Sequence, residues 1–130
     1  MGRKVLVIDD DPDLVEAVSL VLRAKNYEVI SAYGGVEGFD KAKKENPDAI
    51  ILDVMMPDKD GYTVCKELKA DEKLRDIPVL LLTAVVSHIP TTRYTLQMGM
   101  ETEADDYIDK PAEPEELVRR VEALLAKKGA

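Results

Sequence analysis

A chain of 130 residues, 45% hydrophobic and 34% charged, is long enough to close one globular core without disulfides or a structural metal. Its 26 acidic against 18 basic residues leave a net charge of −8, which argues against direct nucleic-acid binding, because phosphate backbones are held by clustered Lys and Arg. The single Cys65 excludes a disulfide framework and a thiolate metal site, and no apolar run approaches the roughly 18 residues of a membrane helix, so a soluble cytoplasmic protein is expected.

The basic start, Met-Gly-Arg-Lys, precedes an apolar run that is too short for a signal peptide. That run, Val5, Leu6, Val7 and Ile8, has no polar alternation, the pattern of a strand buried on both faces. It stops at Asp9, Asp10 and Asp11, and Pro12 then opens a helix with Leu14, Ala17, Val18, Val21 and Leu22 at helical spacing. Tyr27 to Ala32 reads as a shorter edge strand, and Val36, Phe39 and Ala42 mark a helix that Asn46 and Pro47 end. Ala49, Ile50, Ile51 and Leu52 form another doubly buried strand that terminates in Asp53. Pro57 cannot continue a ladder, and the Asp-Lys-Asp-Gly that follows supplies turn chemistry, with Asp60 placed to cap a helix carrying Val64, Cys65 and Leu68.

Residues 71–76 read as a charged loop, after which Pro78 introduces Val79, Leu80, Leu81 and Leu82, closed by Thr83. A fourth helix is expected within residues 85–100, where Pro90, Thr91 and Thr92 suit a start although the spacing of Ile89, Leu96 and Met98 is poor. Tyr107 and Ile108 make a last strand ended by Lys110, and Pro114, Glu115 and Glu116 open a helix with Leu117, Val118, Val121, Leu124 and Leu125 on one face. Five strands alternating with five helices predict one α/β domain over residues 1–130, a parallel sheet in three layers with right-handed crossovers.

In a parallel sheet the strand ends share one rim, so Asp9 with Asp10, Asp53, Thr83 and Lys110 are expected to converge. Crowded carboxylates raise each other's pKa unless a cation intervenes, and oxygen donors without His or Cys select a hard ion, Mg²⁺ or Mn²⁺. Lys110 adds a second positive charge and Thr83 a hydroxyl donor, a set suited to phosphoryl transfer. An ionised carboxylate needs no general base to act as nucleophile, so a chain with one His can still accept a phosphoryl group.

The segments VLVIDDDPD, LDVMMPDKDG, LLLTA and DDYIDKP, in that order, resemble the receiver domains of bacterial two-component response regulators, over essentially the whole chain. The resemblance implies a flavodoxin-like doubly wound fold with strand order 2-1-3-4-5, and a signalling switch that catalyses only its own phosphorylation and dephosphorylation. It implies phosphorylation of Asp53 by a histidine kinase or phosphotransfer protein. Mg²⁺ would be held directly by Asp10, Asp53 and the Met55 carbonyl, and largely through water by Asp9. Thr83 and Lys110 would hold the phosphoryl group, Tyr107 would swing inward on activation, and Lys110–Pro111 would be a cis peptide. Signalling would pass to a partner protein or a fused output domain, or through a phosphorylation-dependent homodimer, with neither nucleic acid nor membrane contacted directly.

Residues 100–103 form an apparent insertion before the last strand, and Ala112 stands where many relatives carry Phe. Met55 and Val85 are apolar at the two positions that govern attack of water on the acyl phosphate in the family, so slow self-dephosphorylation is expected. Asp11 is expected to be a plain solvated acid, Cys65 a core residue and His88 a loop residue. Two other readings compete. The pair Asp9 and Asp11 resembles the nucleophile and acid of haloacid dehalogenase-type phosphatases, a reading that leaves Asp53 without a role; a receiver-like interaction module that never meets phosphate is the other.

Overall fold

Adjacent residues of β1 (Lys4–Ile8), β3 (Ala49–Asp53) and β4 (Val79–Ala84) point into two different cores, which is why these strands carry unbroken apolar runs, Val5 to Ile8, Ala49 to Leu52 and Val79 to Leu82. In the computed structural model, which describes residues 3–84, 104–110 and 112–129, they form the centre of an all-parallel sheet completed by β2 (Glu28–Ala32) and β5 (Asp106–Lys110), in the order β2-β1-β3-β4-β5. On one face lie Leu6, Ile8, Ile50, Leu52 and Leu81, covered by α2 (Gly35–Glu45) and α3 (Gly61–Ala70). On the other lie Val5, Val7, Ala49, Ile51, Leu80 and Leu82, covered by α1 (Pro12–Ala24) and α4 (Pro114–Gly129). This is the three-layer, flavodoxin-like arrangement expected, with five strands and four helices among the described residues. The helix expected within residues 85–100, the insertion at 100–103, Val85, His88 and the Lys110–Pro111 peptide lie outside them.

Local signals explain where the helices begin and end. Asp11 is the N-cap of α1, its side chain accepting from the Asp13 amide at 3.0 Å, so its role is structural rather than simply solvated. Asp60 caps α3 by accepting from the Thr63 amide at 2.9 Å and from the Thr63 hydroxyl at 2.8 Å. Asn46 ends α2 in the left-handed region, at φ 48°, where Asn is tolerated. Helix α4 anchors itself by burying Leu117, Val118, Val121 and Leu125, each worth roughly 1.5–3 kcal/mol in burial.

Helix α2 departs from its apolar spacing. Val36 is 53% exposed, and the face against the sheet is made by Gly35, Gly38 and Ala42. A Cβ at Gly38 would stand 2.6 Å from the Ile8 side chain, so the helix approaches β1 more closely than a valine-bearing face allows.

At the opposite edge from the site, Lys69 of α3 is nearly buried and donates to the Ile77 carbonyl at 2.9 Å, the Arg75 carbonyl at 3.1 Å and Asp105 Oδ2 at 2.9 Å. The same Asp105 oxygen accepts from the Val79 amide at 2.8 Å, so one ammonium fixes the entries to β4 and β5 together. Replacing Lys69 by Met removes three donations from one ammonium and takes this donor from the Arg75 and Ile77 carbonyls. We expect a loss of about 2–3 kcal/mol in unfolding free energy, read as a lower urea midpoint at unchanged m-value. An unchanged midpoint would show that water replaces the ammonium at no cost.

Candidate functional site

Parallel topology places the carboxyl ends of β1, β3, β4 and β5 along one edge, and the side chains there are Asp9, Asp53, Thr83 and Lys110. Asp53 is the last residue of β3 and only 1% exposed; Asp9 follows β1 and is fully buried. Asp10, exposed beside it, joins both: Asp9, Asp10 and Asp53 can each present one carboxylate oxygen such that the three lie within 4.8 Å of one another.

Lys110 reaches into this cluster from the end of β5. Its ammonium donates to Asp9 Oδ2 at 3.1 Å and stands 3.0 Å from Asp53 Oδ1. The contact with Asp53 is at ion-pair distance but outside hydrogen-bond geometry, and both Asp53 oxygens are buried without a hydrogen-bond donor among the described residues. The pair is electrostatic, since attraction depends on distance while a hydrogen bond also needs alignment. Asp9 is better satisfied, because its second oxygen accepts from the Asp11 amide at 2.9 Å.

Burial sets the acidity of the cluster. The Asp9 carboxyl is pushed up to about 6, chiefly by desolvation and further by the charge of Asp53, while the Asp11 amide and Lys110 pull the other way. Asp53 is also raised by burial, an effect that Lys110 and the nearby Met55 amide oppose and the charge of Asp10 reinforces. Lys110, penalised by burial, is nevertheless raised because its ammonium faces the Asp53 carboxylate and donates to that of Asp9. The donors therefore fit a hard divalent cation. They are all oxygen, they carry more negative charge than one ammonium offsets, and two buried oxygens have no hydrogen-bond partner.

Thr83 is brought to the same edge, yet its hydroxyl is turned to β5, donating to Asp109 Oδ1 at 2.6 Å and standing 3.4 Å from the Ile108 carbonyl. Tyr107, also on β5, is 39% exposed, and the Met55 side chain is 66% exposed.

Two residues escape a reading of the sequence. Gly34, the N-cap of α2, has no side chain to offer, and Asp58 from the loop after β3 takes its place, accepting from the Gly35 and Val36 amides, each at 3.0 Å, and from the Lys59 amide at 2.8 Å. These amides hold the Asp58 carboxyl below the usual carboxylate range. The uncapped start at Gly34-Gly35 is the available signal that an acid must come from elsewhere. Asp109 gives no such signal, because only the register opposite Thr83 shows its role.

The loop between β3 and α3 is closed by the Gly61 amide donating to the Val54 carbonyl at 2.9 Å. A Cβ at Gly61 would overlap the Asp53 carbonyl oxygen and stand 2.8 Å from Val54 Cα, so this position presses directly on the backbone of Asp53. Gly61→Ala is expected to cost about 2–3 kcal/mol in stability and to weaken divalent-ion binding, measured by thermal melting and by titration calorimetry. Wild-type values in both would mean that the loop yields freely.

The chain matches the response regulator receiver domain family over residues 5–122. It is 43% identical over 122 residues to the DNA-binding dual master transcriptional regulator RpaA of Synechocystis sp., covering 94% of this chain and 48% of that protein. It is 40% identical over 125 residues to the alkaline phosphatase synthesis transcriptional regulatory protein PhoP of Bacillus subtilis, covering 96% and 49%. The chain thus spans about half the length of these curated relatives. Among solved structures it superposes, with a TM-score of 0.86 and 32% identity, on the signal receiver domain of a signal transduction histidine kinase from Syntrophus aciditrophicus, covering 97% of this chain and 92% of that one. The acids at the ends of β1 and β3 and the lysine at the end of β5 thus lie within a chain that belongs to the receiver domains of two-component response regulators.

Proposed function

We propose that Asp53 is the phosphoacceptor of this domain, taking a phosphoryl group from a phosphohistidine on a histidine kinase or phosphotransfer protein. The observation that carries the reading is the pair of buried Asp53 oxygens without a hydrogen-bond donor among the described residues, one of them 3.0 Å from an ammonium. An Asp53 oxygen attacks phosphorus, the O–P bond forms as the P–N bond breaks, and the imidazole leaves with the electron pair. Lys110 opposes the rise that burial imposes on the Asp53 carboxyl and stays beside the added charge. Asp9, Asp10, Asp53 and the Met55 carbonyl would hold Mg²⁺, or Mn²⁺, which supplies charge neutralisation on the phosphoryl oxygens. Both Asp9 oxygens are engaged by Lys110 and the Asp11 amide, so Asp9 would share in holding the ion largely through water. Thr83 and Tyr107 then respond to the acquired charge, shifting the domain between two conformations that a partner or output domain, or a second copy of the chain, distinguishes.

The phosphatase reading finds no support in the geometry. Asp9 is fully buried and bonded through both oxygens, and Asp11 is committed to capping α1. A phosphate-independent module leaves the unsatisfied Asp53 unexplained. No helix among the described residues is long and apolar enough to cross a membrane. Incubation with acetyl phosphate and Mg²⁺ should add one phosphoryl group, located by mass analysis to Asp53, and Asp53→Asn should take up none. Modification at Asp9 instead, or none at all in the wild type, would overturn the assignment. The adduct should persist for minutes rather than seconds, because the exposed apolar Met55 side chain cannot orient a water.

A further inference from the structure

We propose that Asp109 holds the Thr83 hydroxyl away from Asp53, so that this one acid on β5 sets how readily the domain accepts and keeps a phosphoryl group. The inference rests on the assignment of Thr83 as a phosphoryl-holding side chain. In the parallel register between β4 and β5, Thr83 is paired with Asp109. Leu80 and Leu82 belong to the core beneath α1 and α4, and Ile108 packs against the same core. Side chains alternate along a strand, so Thr83 and Asp109 both face the α3 side, where they meet. Tyr62 of α3 lies close by: its phenol is raised by burial first, and then by Tyr107, Asp60 and Asp109.

The contact is an O–H···O⁻ bond of 2.6 Å, in the short, charge-assisted class. A threonine hydroxyl has one proton to donate. It cannot give that proton to Asp109 and to a phosphoryl oxygen on Asp53 at once, so phosphorylation has to break the bond to Asp109 before Thr83 can assist. Asp109 therefore stabilises the unphosphorylated arrangement by the strength of one charged hydrogen bond. It does so without touching the reacting atoms, as a positioning residue.

Beryllofluoride, which forms a tetrahedral phosphoryl-like adduct on a carboxylate, tests this in the presence of Mg²⁺. Asp109→Ala should bind it about 5- to 20-fold more tightly than wild type, a factor in the range of one hydrogen bond to a partly exposed charge. Asp109→Asn, isosteric and with a neutral acceptor, should fall between the two. In a Thr83→Val background the Asp109→Ala change should alter the affinity by less than about twofold, since no hydroxyl remains to be released. Wild-type affinity in Asp109→Ala, or the same tightening with and without the Thr83 hydroxyl, would overturn the latch while leaving the phosphoacceptor reading intact. Absence of any adduct in both wild type and variant would overturn that reading and the latch with it.

Discussion

Replacement of Lys110 by Met should lower the rate of phosphorylation of Asp53 by about 10²- to 10³-fold, the loss typical of removing one preorganised charge from a transfer site. The same change should destabilise the metal-free protein, because one ammonium faces two carboxylates there, 3.0 Å from Asp53 Oδ1 and 3.1 Å from Asp9 Oδ2. Breaking a buried ion pair from one side costs about 3–5 kcal/mol, but the Lys110 side chain is about a third exposed, so about 1–3 kcal/mol is the expected range. The two effects separate by a second substitution. Asp9→Asn in the Lys110→Met background should recover much of the stability, since it removes one uncompensated carboxylate, but none of the phosphorylation rate. Denaturant titration and stopped-flow labelling with acetyl phosphate read the two arms. A Lys110→Met protein that is phosphorylated at the wild-type rate would remove the ammonium from the mechanism.

Metal and pH should oppose each other at the same cluster. The folded state holds the Asp9 proton more tightly than the unfolded chain, with a carboxyl at about 6 against an ordinary 3.8. The stability contributed by that proton is therefore complete below the ordinary value and is lost as pH rises through about 6. Asp53 is raised in the same direction by the same cause, burial. In the absence of divalent ions we expect the protein to lose on the order of 2 kcal/mol between about pH 4.5 and 7.5, a fall in melting temperature of about 5 °C or more. Saturating Mg²⁺ should reverse the trend, adding about 2.7 kcal/mol at a hundredfold excess over its dissociation constant, with binding that weakens as pH drops below about 6 and protons compete for the carboxylates. Scanning calorimetry across pH, with EDTA and with Mg²⁺, reads both limbs. A metal-free protein that grows more stable from pH 5 to 7.5 would show that Lys110 alone neutralises the cluster. Asp53→Asn should flatten part of the metal-free slope, since it takes one buried charge out of the site.

The layered fold requires little stability from the site itself. Two apolar layers, one under α2 and α3 and one under α1 and α4, close on the central strands β1, β3 and β4, leaving the carboxyl edge to carry charge that the core offsets. This division is why Asp53 can end a fully buried strand: its backbone is fixed by the β3 ladder and by Gly61, while among the described residues its carboxylate has Lys110 alone at ion-pair distance.

Unbroken apolar runs at Val5 to Ile8, Ala49 to Leu52 and Val79 to Leu82 determined by themselves that three strands would be buried on both faces, and hence that the sheet is parallel and sandwiched. The helix caps Asp11 and Asp60 and the stop at Asn46 are equally local, because they act on amides or carbonyls within one turn. These local signals suffice to place the acids Asp9, Asp10 and Asp53 and the amine Lys110 on one rim. What tertiary structure alone decided depends on contacts between residues distant in the chain. Val36 sits at helical spacing with Phe39 but points outward, because Gly35 and Gly38 let α2 approach β1 closely. Asp58 caps a helix 22 residues earlier in the chain, and Thr83 turns to Asp109 rather than to Asp53, because register between β4 and β5 sets which side chains face each other. Periodicity and capping are written within a few residues, whereas the direction in which one hydroxyl donates is settled by the neighbour that the fold brings nearest.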